Sequence, residues 1–330
     1  MPTRRRALLV NLLLLLAAML SIVLALGAGS LKVAPGDVLA ALLGDGEGMA
    51  AEVVRNLRLP RALAAFACGG LLALAGTLMQ VLLRNPLADP YVLGVSGGAA
   101  VGALLAMLFS LPLLMMHGGA FAGALCAVML VFGLARGDGS WTQTRLLLTG
   151  VIVAAGAAAV VALILSVAPE QKLRGMLFWL MGDLSHAATP WPALIVLALG
   201  LAASLPLARD LNLLARGDLV AKSFGVGVGK LRGAIYVLAS LLTAIAVTTA
   251  GSIGFIGLIV PHLVRLAAGN DQRLLLPAAT LAGGALLVCA DTLARTAVAP
   301  QQLPVGVLTA LLGVPVFLYL LSRQPDMGKT

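Results

Sequence analysis

The sequence predicts an all-α integral membrane protein with about ten transmembrane helices, an expectation that rests on three observations. Of the 330 residues, 61% are hydrophobic and 11% charged, where an ordinary soluble domain carries about 25% charged residues. The apolar residues fall in blocks of about 17 to 25, each long enough at 1.5 Å per residue to cross a hydrocarbon layer of about 30 Å. The blocks also lack the alternation of barrel strands, and in lipid a backbone must pair its polar groups within a helix or a closed barrel. Only helices satisfy all three.

Taken in order, the first span covers 7–27, behind Arg4, Arg5 and Arg6, and its length favours an uncleaved helix over a signal peptide. An outer loop with Pro35 and a glycine-rich stretch at 44–48 leads to the second span, 61–82. Arg84-Asn85-Pro86-Leu87-Ala88-Asp89-Pro90 then breaks the helix twice, because proline lacks the backbone donor and crowds the preceding turn. Spans three to five cover 92–109, 114–134 and 145–167, the last two flanking the polar turn Arg136-Gly137-Asp138-Gly139. An outer segment at 169–190 is expected to hold a short helix around 176–181, and span six covers 191–207. After the longest polar stretch, 208–232, spans seven to ten cover 233–250, 254–268, 274–294 and 304–322. The whole chain, 1–330, reads as one transmembrane domain.

An even number of spans puts both chain ends on one side. Taking that side as cytoplasmic places fifteen Lys and Arg inside and seven outside, in line with the positive-inside rule. The net charge of +9 therefore reads as membrane orientation, not nucleic-acid binding, since the basic residues are scattered through loops. Cys68, Cys126 and Cys289 lie far apart in apolar runs and read as small buried hydrophobes. The stripe Gly94-x-x-x-Gly98-x-x-x-Gly102 reads as helix packing within one subunit ahead of a dimer seam.

An energy source is not evident in the chain. The nearest thing to a phosphate loop, Gly225-Val226-Gly227-Val228-Gly229-Lys230-Leu231, has Phe224 and Leu231 where the motif needs Gly and Ser or Thr. His117, His186 and His262 are too dispersed for a metal site, and no paired carboxylates sit where acid–base chemistry would need them. No two acids share a mid-span helical face, which disfavours an ion-coupled carrier but leaves it as the alternative.

A series of segments resembles the FecCD-type permease family of importers for iron-siderophore complexes, haem and cobalamin. These are Arg58-Leu-Pro-Arg61; Gln80 with residues 84–90; Leu93-Gly-Val-Ser-Gly-Gly98; Phe178-Trp-Leu-Met-Gly182; Leu211-Asn-Leu-Leu214 with Ala221 and Phe224-Gly-Val226; Gly254-Phe-Ile-Gly-Leu-Ile-Val-Pro-His262; and Leu303-Pro-Val-Gly306 with Gly313-Val-Pro-Val-Phe317. They stand in family order and cover nearly the whole chain. The resemblance implies a type II ABC importer permease fold in a bacterial inner membrane. It further implies a homodimer with the pathway at its interface, a periplasmic substrate-binding protein, and two cytoplasmic ATPase subunits that hold the ATP and Mg. No cofactor, metal or nucleic acid is implied for the chain itself.

The same resemblance assigns residues to roles. Arg58, Arg61 and Arg295 match outer arginines that meet acidic residues of the binding protein, a task suited to a guanidinium fork. Leu211, Leu214, Arg216, Gly217, Asp218, Ala221, Phe224 and Gly225 match the helices that couple to the ATPase, with Leu213, Leu219 and Val220 adding to an apolar face. Gln80, Leu93, Gly94, Ser96, Gly97 and Gly98 are the expected pathway lining. One departure stands out: the family commonly has Glu before the Leu-Pro-Val-Gly segment, and this chain has Gln302.

Overall fold

A computed structural model describes residues 4–322 apart from 30, 32, 45, 47, 136–142, 186 and 188, and the regular elements of those residues are all helical. The expected turn at 136–139 and His186 thus lie outside the described residues. In chain order the helices are α1 (Arg4–Gly27), α2 (Pro35–Leu43), α3 (Met49–Glu52), α4 (Leu59–Leu82), α5 (Val95–Leu108), α6 (Leu113–Ala135), α7 (Gln143–Val167), α8 (Glu170–Leu180) and α9 (Trp191–Ser204). The chain continues with α10 (Ala208–Leu214), α11 (Asp218–Ser223), α12 (Val228–Ala250), α13 (Ile256–Ala268), α14 (Gln272–Thr296) and α15 (Val305–Ser322).

Each predicted span has its counterpart. Among the described residues six helices are long and apolar enough to cross a membrane, α9 and α10 make a seventh if that pair, bent by 66°, is one span, and three shorter apolar helices complete the set. The second span starts earlier than expected, because the helix is continuous over Met49–Leu82. Pro60 falls at the start of α4, and a π-helical turn, Val53–Arg58, carries the chain into it, with Leu59 N–H donating to Val54 O. The wider turn suits a position where proline cannot make the ordinary bond.

Helix α4 is the axis of the core. Nearly all of its residues are buried, and it packs against α9, α12, α13 and α14. Small residues permit this: a β-carbon on Gly69 would strike the Gly283 carbonyl, and one on Gly76 the Gly257 carbonyl. In lipid, where water drives no apolar burial between helices, such close backbone approach is the main source of association. Cys68 is buried in this core, whereas Cys126 and Cys289 lie on exposed helix faces, contrary to the reading of all three as buried. Membrane helices keep apolar residues on their outer faces too, so an apolar run does not fix which side packs.

At about 1.5 Å per residue α13 rises only about 20 Å, too little to span alone. Between it and α12 the link 251–255 is unwound, and the backbone of Ile253 in it is paired with a side chain from another element. The Tyr91 hydroxyl donates to Ile253 O and accepts from Ile253 N–H, both at 3.0 Å, and the hydroxyls of Ser96 and Ser252 share a hydrogen bond. Nearby, Asp183 N–H donates to Ala250 O at 2.8 Å and Val305 N–H to Gly182 O at 3.1 Å. The starts of α5, α13 and α15 thus gather around one backbone-rich waist. Phe255 enters α13 with φ +70, a strained conformation for a bulky side chain.

Candidate functional site

At the predicted cytoplasmic end, α10 and α11 form a glycine-hinged pair. Gly217 holds φ +121 between them and Gly225 holds φ +80 after α11, conformations that a side chain would strain. Leu211, Leu214 and Ala221 are fully buried and anchor the pair to the membrane helices. Asn212 clamps α10 to the start of α14, donating from its amide to Asp271 Oδ1 at 2.8 Å and accepting from Gln272 N–H at 2.9 Å. Asp218 ties α11 to its neighbours, at 2.9 Å from Arg232 and 3.8 Å from Arg84.

The expected coupling residues therefore divide. Leu211, Leu214 and Ala221 face inward; Arg216, Phe224 and Gly225 face outward, and Gly217 and Asp218 shape the hinge. Phe224 at 64% exposure and Leu219 at 85% form two apolar knobs held in place by a buried base. Sequence reasoning missed the anchoring roles of Arg84, Arg232 and Asp271. Their partners lie 14 or more residues away, across turns whose direction no local pattern encodes.

At the opposite end the three expected docking arginines meet around α1 and α14. Arg58, only 5% exposed, donates to Leu26 O at 2.7 Å, to Gly27 O at 3.1 Å and to Leu31 O. It closes the end of α1, whose last carbonyls have no partner within the helix. The donors of Arg58 are thus engaged inside the subunit, on backbone carbonyls. Arg61 makes a two-pronged bond to the buried Asp291, at 3.0 Å from Nε and 2.8 Å from its second nitrogen. Arg295, one turn after Asp291, donates to the same carboxylate at 3.1 Å and to Ala25 O at 3.3 Å. The outer nitrogen of Arg61 reaches Gln302 Oε1 at 2.9 Å. Asp291 was not assigned a role in the sequence, where it stands as a lone acid in an apolar run.

Most of the residues expected to line the pathway make contacts within the subunit. Gln80 is 3% exposed, donates to Leu258 O at 3.1 Å and accepts from Arg265 at 2.7 Å, so it joins α4 to α13 inside the subunit. Leu93 is buried, and Gly94 and Gly97 pack against α7. A β-carbon on Gly98 would strike Gly123, and one on Gly102 would strike Gly119, so this stripe seats α5 on α6 within one subunit as expected. Ser96 likewise bonds to Ser252 at the waist. Among the described residues no group of three or more His, Cys, Asp or Glu side chains gathers as a metal site would require.

Comparison with known proteins agrees with this architecture. Residues 14–323 match the model of the FecCD transport family. The hemin transport system permease of Yersinia pestis is 46% identical over 82% of this chain and 83% of its own length. The cobalamin import system permease of Halobacterium salinarum is 44% identical over 82% of this chain and 74% of its own. A solved chain described as an inward-facing conformation of an ABC transporter assigned to the metal-chelate type superposes with a TM-score of 0.83 at 30% identity, over 96% of this chain and all of that one. With this fold and these relatives, the chain is a multi-pass ABC permease and belongs to the FecCD transport family.

Proposed function

We propose that this permease works as one half of a homodimer that carries a metal chelate, namely an iron(III)–siderophore complex, haem or cobalamin, from periplasm to cytoplasm. In this reading it sits in a bacterial inner membrane with both chain ends cytoplasmic, supported by the fifteen-to-seven division of Lys and Arg. A substrate-binding protein delivers cargo at the outer face, and two ATPase subunits with their ATP and Mg drive the cycle from inside.

The observation that carries the proposal is the exposed pair Leu219 and Phe224 on a buried, glycine-hinged base. Two large apolar side chains fixed toward water, with Arg216 and Lys222 beside them, fit a helix-in-groove contact with a partner subunit. A carrier working alone has no use for such a surface. The cargo class follows the hemin, cobalamin and metal-chelate descriptions of the relatives.

The test is uptake by proteoliposomes containing the permease with its ATPase, supplied with its binding protein and haem, cobalamin or a ferric siderophore in turn. Uptake of one of these that requires ATP and the binding protein is the expected result. Uptake without ATP in the presence of an ion gradient would sink the proposal in favour of the ion-coupled carrier.

A further inference from the structure

We propose that Gln302, with Asp291 behind it, sets how much positive charge the outer arginine cluster offers to a carboxylate-bearing protein partner. The proposal rests on the reading that the outer face docks a substrate-binding protein. Two guanidinium groups, Arg61 and Arg295, share one carboxylate, Asp291, which is 1% exposed and engaged on both oxygens, and among the described residues no carboxylate is bonded to the neighbouring Arg58. The charge of Arg58 is turned inward to backbone carbonyls. The cluster therefore keeps a cationic surplus, and its outlet is the outer edge of Arg61.

Gln302 holds that edge. It is an exposed residue, and its side-chain oxygen accepts from the Arg61 nitrogen that faces away from Asp291, at 2.9 Å. An amide oxygen in that place fixes the plane of the guanidinium but adds no negative charge. A carboxylate there would hold the same geometry and also neutralise the edge, leaving a partner's acid less to gain. Asp291 acts as the positioning residue: its two-pronged bond prevents the Arg61 side chain from searching other rotamers. A docking acid thus meets a fork already oriented.

The test uses the full-length permease with its ATPase subunits in lipid nanodiscs, and measures binding-protein affinity at 50 and 300 mM salt. Gln302→Glu is expected to weaken binding about tenfold at the lower salt and to flatten the salt dependence. Gln302→Ala, which loses the brace but not the charge, is expected to stay within about threefold of the parent with its salt dependence intact. Because Gln302 is exposed, both variants should match the parent in folded yield and melting temperature. Arg61→Ala, accepted only where gel filtration shows folded protein, serves as the docking control. If Arg61→Ala weakens binding and Gln302→Glu changes neither affinity nor salt dependence, the tuning role is overturned while docking stands. If neither variant has an effect, the docking reading falls and this proposal with it.

Discussion

Replacing Arg58 with Ala would leave the carbonyls of Leu26, Gly27 and Leu31 without their donor, the first of them in a buried setting. A buried acceptor stripped of its partner costs about 1–3 kcal/mol, so Arg58→Ala should lower the melting temperature in detergent by several degrees. Arg58→Lys, with a compact ammonium that cannot span three carbonyls at once, should recover only part of the loss. A fully stable Arg58→Ala protein would contradict the assignment. Asp89 offers a second residue-scale test. Burial pushes its carboxyl up from 3.8 to about 6, against the hydrogen bond from Tyr91 N–H at 2.7 Å, which lowers it. A carboxyl raised on folding adds stability that is complete below its unfolded pKa and is lost as pH rises through the folded one. The protein should therefore be more stable at pH 5 than at pH 8 by this contribution. In Asp89→Asn, which keeps an acceptor but cannot ionise, the gap between melting temperatures at the two pH values should narrow; an unchanged gap would exclude Asp89 as its source.

The division of α10 and α11 into anchors and knobs predicts two kinds of failure. Leu219→Asp and Phe224→Asp alter exposed side chains, so the permease should reach normal abundance yet lose at least about tenfold in ATPase association, as expected of central interface anchors. Leu214→Asp puts a charge into a fully buried position and should reduce abundance itself. Co-purification of the ATPase beside a quantitative blot of the permease separates the two. Loss of abundance in the knob variants would show that these side chains serve the fold. The helices themselves were legible in the sequence because lipid demands apolar length of each segment separately, so the test can be applied block by block. Gly98 and Gly102 were legible for a similar reason, since their spacing marks one helix face and the face it meets needs only to be small as well, whereas Gly94, at φ +72 before α5, meets α7 instead. Direction within the assembly was not legible. Gln80 sits in an apolar run and looks like a polar lining residue, but whether it meets a pathway or Arg265 depends on a helix 185 positions further along the chain.

For the molecule as a whole, the arrangement of charge predicts orientation. Reporter fusions at residues 46 and 111 should report the outer side and one at residue 220 the cytoplasm; an outer signal at 220 would reverse the proposed positions of the docking and coupling faces. The family and its architecture were legible because motifs recur along nearly the entire chain, each marking a break, a turn or a close approach. Arg58, Arg61 and Arg295 were grouped by the sequence and lie together, but their separate contacts were not legible: a guanidinium looks the same in sequence whether it pairs with a buried carboxylate or closes a helix. The way α1 is closed has a consequence for biogenesis. One of its arginines arrives with the very next span, while the other, Arg295, is made some 270 residues after the Ala25 carbonyl it reaches. During synthesis the first helix therefore waits, half-secured, for nearly the whole chain to enter the membrane. A ribosome stalled before α14 would leave the earliest helix as the least settled one, which makes its outer end a natural place for membrane quality control to recognise an unfinished permease.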